Sequence, residues 1–281
     1  MFEIVDKELL APGIYRILVK APLVAAKAAP GHFVIVQAIE DGERIPLTIV
    51  SAQDDCIELI FQVMGVSTAL LAELEPPAKL PALLGPLGIA PEVSPGEGTV
   101  LCVAGGVGAA PILPRARDYH QKGRKVVTIL GARSKELLLL VDRLQEVSSE
   151  LHICTDDGSA GHHGFVTDLI PEVSRRHKIE EVLAIGPLPM MAAVCKITKQ
   201  LSLPTTVSLN ALMVDGTGMC GACRVAVGGE TKFTCVDGPE FDGHLVDFTG
   251  LANRLCQYRE YEQTAYDGYR KERGECQCLN G

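Results

Sequence analysis

The residues with the most explicit chemistry lie late in the chain, in the run Asp215-Gly-Thr-Gly-Met-Cys220-Gly-Ala-Cys223, followed by Cys235. Their spacing, D-x4-C-x2-C-x11-C, reproduces the C-x4-C-x2-C pattern of plant-type [2Fe–2S] sites with aspartate in the first place. Thiolates are the soft donors such clusters need. Tight glycine turns let successive ligands converge and let backbone N–H groups point at the sulfurs. Three thiolates and a carboxylate also make a tetrahedral zinc site, but the glycine density and the x4–x2 spacing favour iron–sulfur. The expected metal ligands are Asp215, Cys220, Cys223 and Cys235.

The other cysteines divide by position. Of ten in 281 residues, Cys56, Cys102, Cys154 and Cys195 stand singly among apolar residues and read as small buried hydrophobes. Cys256, Cys276 and Cys278 join the metal group in the last quarter. The first residues carry Glu3, Asp6 and Glu8 where a signal peptide would be basic and then apolar. The longest uncharged stretch, 98–114, is glycine-broken and too short to span a bilayer comfortably. A cytoplasmic protein is expected, with no membrane partner and with thiols rather than disulfides. The net charge of −9 argues against a nucleic-acid binder.

A second chemical feature is the turn Gly105-Gly106-Val107-Gly108-Ala109-Ala110-Pro111. Glycines allow positive φ and close approach of the backbone to a pyrophosphate, and a following helix turns its N–H groups and positive dipole end toward that anion. Two further turns belong with it: Thr155-Asp156-Asp157-Gly158-Ser159, and Gly186-Pro187-Leu188-Pro189-Met190-Met191. Met190 and Met191 read more readily as core residues than as ligand contacts.

These turns need strands to hold them. From Thr99 onward the pattern alternates strand and helix: strands at 100–103, 125–130, 150–155, 181–185 and 206–209, helices to about 121 and over 135–148, 166–177 and 189–201. Such alternation implies a parallel sheet covered on both faces, with ligands at the carboxyl ends of the strands. Upstream, short β-rich runs such as 13–19, 32–37 and 56–63 between Gly/Pro turns suggest an antiparallel barrel. The expected organisation is a β-barrel over 1–96, an α/β parallel-sheet nucleotide domain over 97–210, a cluster segment over 211–248 and a polar helical tail over 249–281. Tyr258, Tyr261, Tyr266 and Tyr269 form a stripe on that tail, read as packing on the body or a partner.

The order GPLG (85–88), GGVGAAP (105–111), DDGSAGHHG (156–164) and GPLPMM (186–191) resembles the ferredoxin reductase superfamily over roughly residues 1–210. The resemblance implies FAD on the barrel and NAD(H) on the α/β domain. It assigns the flavin to Arg44, Pro46, Leu47 and Thr48 and to the helix start at Gly65, Ser67 and Thr68. It assigns the nucleotide to Gly105, Gly106, Gly108, Gly186 and Pro187. Asp156 and Asp157, facing the ribose, would repel a 2′-phosphate and favour NAD over NADP. Ile185 stands where many members carry cysteine, so cysteine-assisted hydride transfer is not implied, and no catalytic residue is assigned.

With the aspartate-first cluster pattern, the run 214–248 is similar to the small subunits of NADH-dependent ferredoxin:NADP oxidoreductases, also known as sulfide dehydrogenase subunits. That likeness implies a heterodimer with a larger subunit carrying a second FAD and [4Fe–4S] clusters, electron bifurcation, and ferredoxin reached through the complex. The electron-transfer subunit of dihydroorotate dehydrogenase has the same layout and is one alternative. A zinc-stabilised, nucleotide-binding redox sensor is another.

Overall fold

The computed structural model describes residues 2–274. Cys276 and Cys278 lie outside the described residues.

The N-terminal strands are β1 (Phe2–Ala11), β2 (Ile14–Lys20), β3 (Phe33–Gln37), β4 (Arg44–Gln53), β5 (Cys56–Gln62), β6 (Lys79–Leu80) and β7 (Ala82–Leu87). Helices α1 (Pro22–Ala25) and α2 (Val66–Glu73) interrupt them. The antiparallel sheet runs β6-β1-β2-β5-β4-β3-β7. Its edge strands, β6 and β7, are separated in sequence by Pro81 alone, so the sheet curls into a nearly closed barrel around Ile17, Val34, Leu59 and Phe61. Strand β4 pairs with β3 from Arg44 to Thr48 but with β5 only from Ile49. The first half of β4 therefore leaves one hydrogen-bonding edge off the ladder, which is where Pro46, lacking an N–H, is tolerated.

The second unit contains β8 (Thr99–Gly105), α3 (Ala109–Gln121), β9 (Lys125–Ala132), α4 (Val141–Gln145), β10 (Glu150–Thr155), β11 (His162–His163), α5 (Val166–Arg176), β12 (Ile179–Ile185), α6 (Leu188–Gln200) and β13 (Thr205–Ser208). Strands β8 and β9 read as near-continuous apolar runs because both their faces are covered: β8 is buried throughout and β9 from Val126 onward. Strands β8 to β13 are parallel, and the order β10-β9-β8-β12-β13 places the reversal of direction beside β8, whose C-terminal end carries the glycine turn. Cys102, Cys154 and Cys195 are buried, with thiols pushed up to about 12, 11 and 12 by desolvation, which leaves them inert. Cys56 differs from expectation: at the start of β5 it is only half-buried.

The expected helix over 135–148 does not form. A short 3-10 turn at Lys135–Leu137 is followed by Leu140 in the left-handed region, φ 56°, and only then by α4. The leucine run is apolar on every side rather than on one helical stripe. Breaking it lets Leu139 and Leu144 enter the core while Arg143 turns toward the barrel. Packing has overridden helix propensity here.

Beyond residue 210 follow β14 (Arg224–Val227), β15 (Glu230–Phe233), α7 (Thr234–Asp237), β16 (Glu240–Asp242), α8 (Phe248–Leu255) and α9 (Arg259–Glu272). β14 and β15 form a separate hairpin, while β16 adds antiparallel to β13 at the edge of the second sheet. One apolar core runs through all parts, holding Phe33 and Ile35 of the barrel, Val103 and Val207 of the sheet, and Cys223 and Cys235. Among the described residues the tail is helical over α8 and α9, and Tyr269 docks it on the body, donating to Glu73 Oε1 of α2 at 2.5 Å, with Arg273 bonded to the same carboxylate. Tyr258 and Tyr261 remain exposed. Among the described residues no helix is long and apolar enough to cross a membrane.

Candidate functional site

The glycine turn sits between β8 and α3 as one turn of 3-10 helix, Gly106–Gly108. Its glycines have different physical reasons. A Cβ on Gly105 would lie 2.3 Å from Met190 Sδ, and one on Gly108 would lie 2.2 Å from the carbonyl oxygen of Ile185. A Cβ on Gly186 would also meet Met190, at 2.7 Å from Cε. These three let β8, β12 and α6 close on one another. Gly106, at φ 55° with nothing within 4 Å of a built Cβ, is the one whose surroundings are open. Met191 is buried in the core, whereas half-buried Met190 fills the space between the two glycine turns. Pro187 is exposed at the entry to α6.

Asp156 and Asp157 are exposed just past β10. Asp157 Oδ1 accepts from Ser159 N–H at 2.9 Å and from Ser159 Oγ at 2.6 Å, and these bonds hold its carboxyl below the ordinary value. The turn is tied to the end of β9, since Asp157 N–H donates to the Arg133 carbonyl at 3.2 Å. Sequence reasoning overlooked Arg133, an exposed cation beside the two aspartates. Its signal was available: it directly follows an apolar strand, at the sheet edge where the glycine and aspartate turns collect.

On the barrel, Arg44, Pro46, Leu47 and Thr48 line the half of β4 that pairs only with β3. Arg44 is exposed and the others are partly so. The start of α2 lies alongside, because Ser67 Oγ donates to Glu43 Oε2 at 3.1 Å. Gly65 is the N-cap in extended backbone, and Thr68 Oγ1 accepts from the N–H groups of Met64 and Gly65 at 2.8 and 3.1 Å. The Thr68 hydroxyl is therefore engaged as a cap, with Ser67 standing next to Glu43.

Asp215, Cys220 and Cys223 share a loop whose Gly216, Gly218 and Gly221 have φ of 74°, 82° and 64°, and Cys235 reaches it from α7. Cys223 and Cys235 are buried with their sulfurs 3.2 Å apart, and Cys220 is exposed on the same loop. Thr234 pins the pair by donating N–H and Oγ1 to the Cys223 carbonyl at 3.1 and 2.9 Å. Burial pushes the Cys235 thiol up to about 12, with the Cys223 sulfur adding to it and the Gly218 N–H opposing. A metal cation would reverse that balance and hold the thiolate. Asp215 accepts from Thr217 N–H and Cys220 N–H, each at 2.9 Å, so its carboxylate shares a turn with Cys220. Among the described residues no three such side chains already converge on one point. The donor set, thiols on glycine turns with backbone N–H groups at the sulfur, fits an iron–sulfur cluster.

The loop is seated directly on the barrel. A Cβ on Gly216 would lie 2.6 Å from Leu87 Cδ1 and 2.8 Å from Ile35 Cδ1. Ile35 pairs in register with Pro46, and Phe33 pairs with Thr48 on one side and Leu87 on the other. The cluster loop and the open edge of β4 are thus neighbours across a single strand.

A barrel, a parallel sheet with a glycine turn at its switch point and a cysteine loop lodged between them define an oxidoreductase of the ferredoxin-reductase type with an added iron–sulfur segment. Residues 102–196 match the oxidoreductase NAD-binding domain, and residues 210–247 match the iron–sulfur cluster binding domain of dihydroorotate dehydrogenase B. The chain is 42% identical over 275 residues to the dihydroorotate dehydrogenase B electron transfer subunit homolog of Thermotoga maritima, covering 97% of each. It is 33% identical to the corresponding subunit of Geobacillus kaustophilus, covering 85% of this chain and 94% of that one. It superimposes with a TM-score of 0.90 and 40% identity on a chain from the structure of an NADH-dependent reduced ferredoxin-NADP oxidoreductase studied for flavin-based electron bifurcation, covering 96% and 98%. The chain belongs to the family of dihydroorotate dehydrogenase B electron-transfer subunits, with NAD and FAD binding and an iron–sulfur segment.

Proposed function

We propose that this chain is the NAD(H)-side electron-transfer subunit of a cytoplasmic heterodimer, an electron-bifurcating NADH-dependent ferredoxin:NADP oxidoreductase. Its larger partner would carry a second FAD and [4Fe–4S] clusters and would reach ferredoxin. The observation that carries the reading is the seat of Gly216 on Ile35 and Leu87, one strand away from the β4 edge where the flavin is proposed to lie. Likeness over almost the whole chain to a subunit of the bifurcating enzyme supports the choice of complex.

Bound FAD would supply the conversion between the two-electron chemistry of NAD(H) and the one-electron chemistry of the cluster. The chain supplies the positioning. Gly106 and the start of α3 offer N–H groups and a positive dipole end to the nucleotide pyrophosphate. Thr48 offers a hydroxyl, and Arg44 a planar cation, along the open edge of β4. Ser67 and Thr68, with Gly65, shape the start of α2 for the flavin phosphates. Pro187 and Gly186 border the nucleotide crevice, and Asp156 and Asp157 favour NAD over NADP. Asp215, Cys220, Cys223 and Cys235 would hold the [2Fe–2S] cluster, with Asp215 as a hard ligand in a soft set.

The names of the curated relatives favour a second reading, in which the partner oxidises dihydroorotate. Reduction of the purified complex by dihydroorotate would decide for it. The main reading is tested on anaerobically purified protein by visible and EPR spectra with iron, zinc and flavin assays. Flavin bands, about two irons per chain and a rhombic signal on reduction with NADH are expected. Zinc without iron or flavin would sink electron transfer and leave a zinc-stabilised nucleotide-binding module.

A further inference from the structure

The strand after the last cluster cysteine is fastened by a buried ion pair. Cys235 lies on α7, and the chain then enters β16 with Glu240 opposite Ser208 of β13. Glu240 is 7% exposed at its side chain, and its Oε1 lies 2.9 Å from Nε of Arg115, itself 2% exposed. Their alignment makes this a charge pair rather than a well-directed hydrogen bond. Arg115 projects from α3, the helix opened by the glycine turn. Its other nitrogens reach Asp118 Oδ2 and Tyr119 Oη, each at 3.3 Å, and Tyr119 Oη donates to Glu181 Oε1 of β12 at 2.6 Å.

The barrel closes on the same point. A Cβ on Gly31 would lie 3.5 Å from Glu240 Oε1 and 3.7 Å from Arg115 Cδ. Just before Glu240, the Gly238 carbonyl accepts from Ile89 N–H at 2.7 Å where the chain leaves the barrel, and the Pro239 carbonyl accepts from Leu209 N–H at 2.9 Å. Three parts of the molecule thus meet at one charge pair. Sealing charges in a protein is expensive, and apolar residues of similar volume are often as stable, so stability alone does not account for it. What a charge pair can add over an oily contact is one register, because guanidinium and carboxylate meet in one place whereas apolar surfaces can slide.

We infer that Arg115 and Glu240 are positioning residues that hold the strand following Cys235 in a single register against the nucleotide helix and the barrel, and so set the flavin-to-cluster distance. This rests on the reading that flavin occupies the β4 edge.

The test uses full-length protein purified anaerobically, with the charge-free pair Arg115→Met/Glu240→Leu and the charge-retaining Arg115→Lys. Hydrogen exchange followed by mass spectrometry reads β16 and its partner strand β13 directly. Exchange there should quicken on the order of tenfold in the double variant and less in Arg115→Lys, which keeps the charge but not the planar fork. After mixing with NADH, rapid-freeze EPR should show the cluster signal rising roughly tenfold more slowly in the double variant, since small misplacements cost rate steeply. Iron content and the NADH-to-dye rate, which does not use the cluster, should match the wild type. Native exchange at β16, native cluster reduction, or loss of iron in either variant would overturn the inference. Wild-type protein that binds iron but whose cluster is not reduced through flavin would instead bring down the functional reading, and the inference with it.

Discussion

Alanine at Gly108 should damage the protein more than alanine at Gly106, although both stand in one glycine turn. A methyl on Gly108 would lie 2.2 Å from the Ile185 oxygen and 2.8 Å from its carbonyl carbon. Both are backbone atoms at the carboxyl end of β12, held in the parallel ladder with β8, and cannot swing aside as a side chain would. Restoring ordinary contact requires α3 and β12 to part by roughly 1 Å, and overpacking of that kind costs about 3 kcal/mol at the upper end of its usual range. At Gly106 nothing lies within 4 Å, so the cost is only that of the left-handed backbone at φ 55°, roughly 1–2 kcal/mol. The two variants should also differ in kind. A methyl at 106 occupies the open face of the turn, where the nucleotide phosphates are proposed to approach, and should raise the KM for NADH. Urea denaturation followed by circular dichroism gives the first quantity and NADH-to-dye kinetics the second. A Gly108→Ala protein with the native urea midpoint would refute the packing argument. A Gly106→Ala protein with unchanged KM would remove the turn from the nucleotide site.

The barrel and the nucleotide sheet are also joined by Glu58 of β5, which accepts from Arg143 at 2.6 and 2.8 Å and from Ser51 at 2.7 Å. Burial raises the Glu58 carboxyl, but Arg143, Ser51 and the charge of Arg16 outweigh it and leave the group below its ordinary 4.5. Its contribution is therefore present above that value and lost as pH falls through the lower folded value. Glu58→Gln should cost about 3 kcal/mol near neutral pH, and urea midpoints should show the gap to wild type closing in acid; a gap that widens would refute the assignment. Asp157→Ala, losing the acceptor for Ser159, should lower the preference for NADH over NADPH severalfold in dye-reduction kinetics, and an unchanged ratio would remove the charge argument. Thr68→Val removes the cap on α2 and should cost about 1 kcal/mol; flavin retained through gel filtration as in wild type would count against α2 as its phosphate site. Asp215→Cys should yield a four-cysteine cluster with altered visible and EPR spectra, and unchanged spectra would show that Asp215 is not a ligand.

Much of this was legible in the residues themselves, because it depends on short-range chemistry. The cysteine spacing and the glycine turns each lie within one local run. The alternation of apolar strands with amphipathic helices follows from burial of a parallel sheet on both faces, and the strand Glu150–Thr155 could be read to its ends. The leucine run after Lys135 could not, since its helical propensity was overruled by what Leu139 and Arg143 meet in the fold. Nor does the glycine turn say which of its glycines are packed and which stand open; that follows from Ile185 and Met190, which arrive from another strand and helix. The seat of Gly216 on Ile35 and the burial of Arg115 against Glu240 join residues far apart in the chain. Sequence by itself determined the cysteine spacing, the turns and the order of the elements, because these are set by neighbours along the backbone. Which side chains stand together was decided only by the tertiary structure, because close packing joins distant side chains whose proximity no local pattern records.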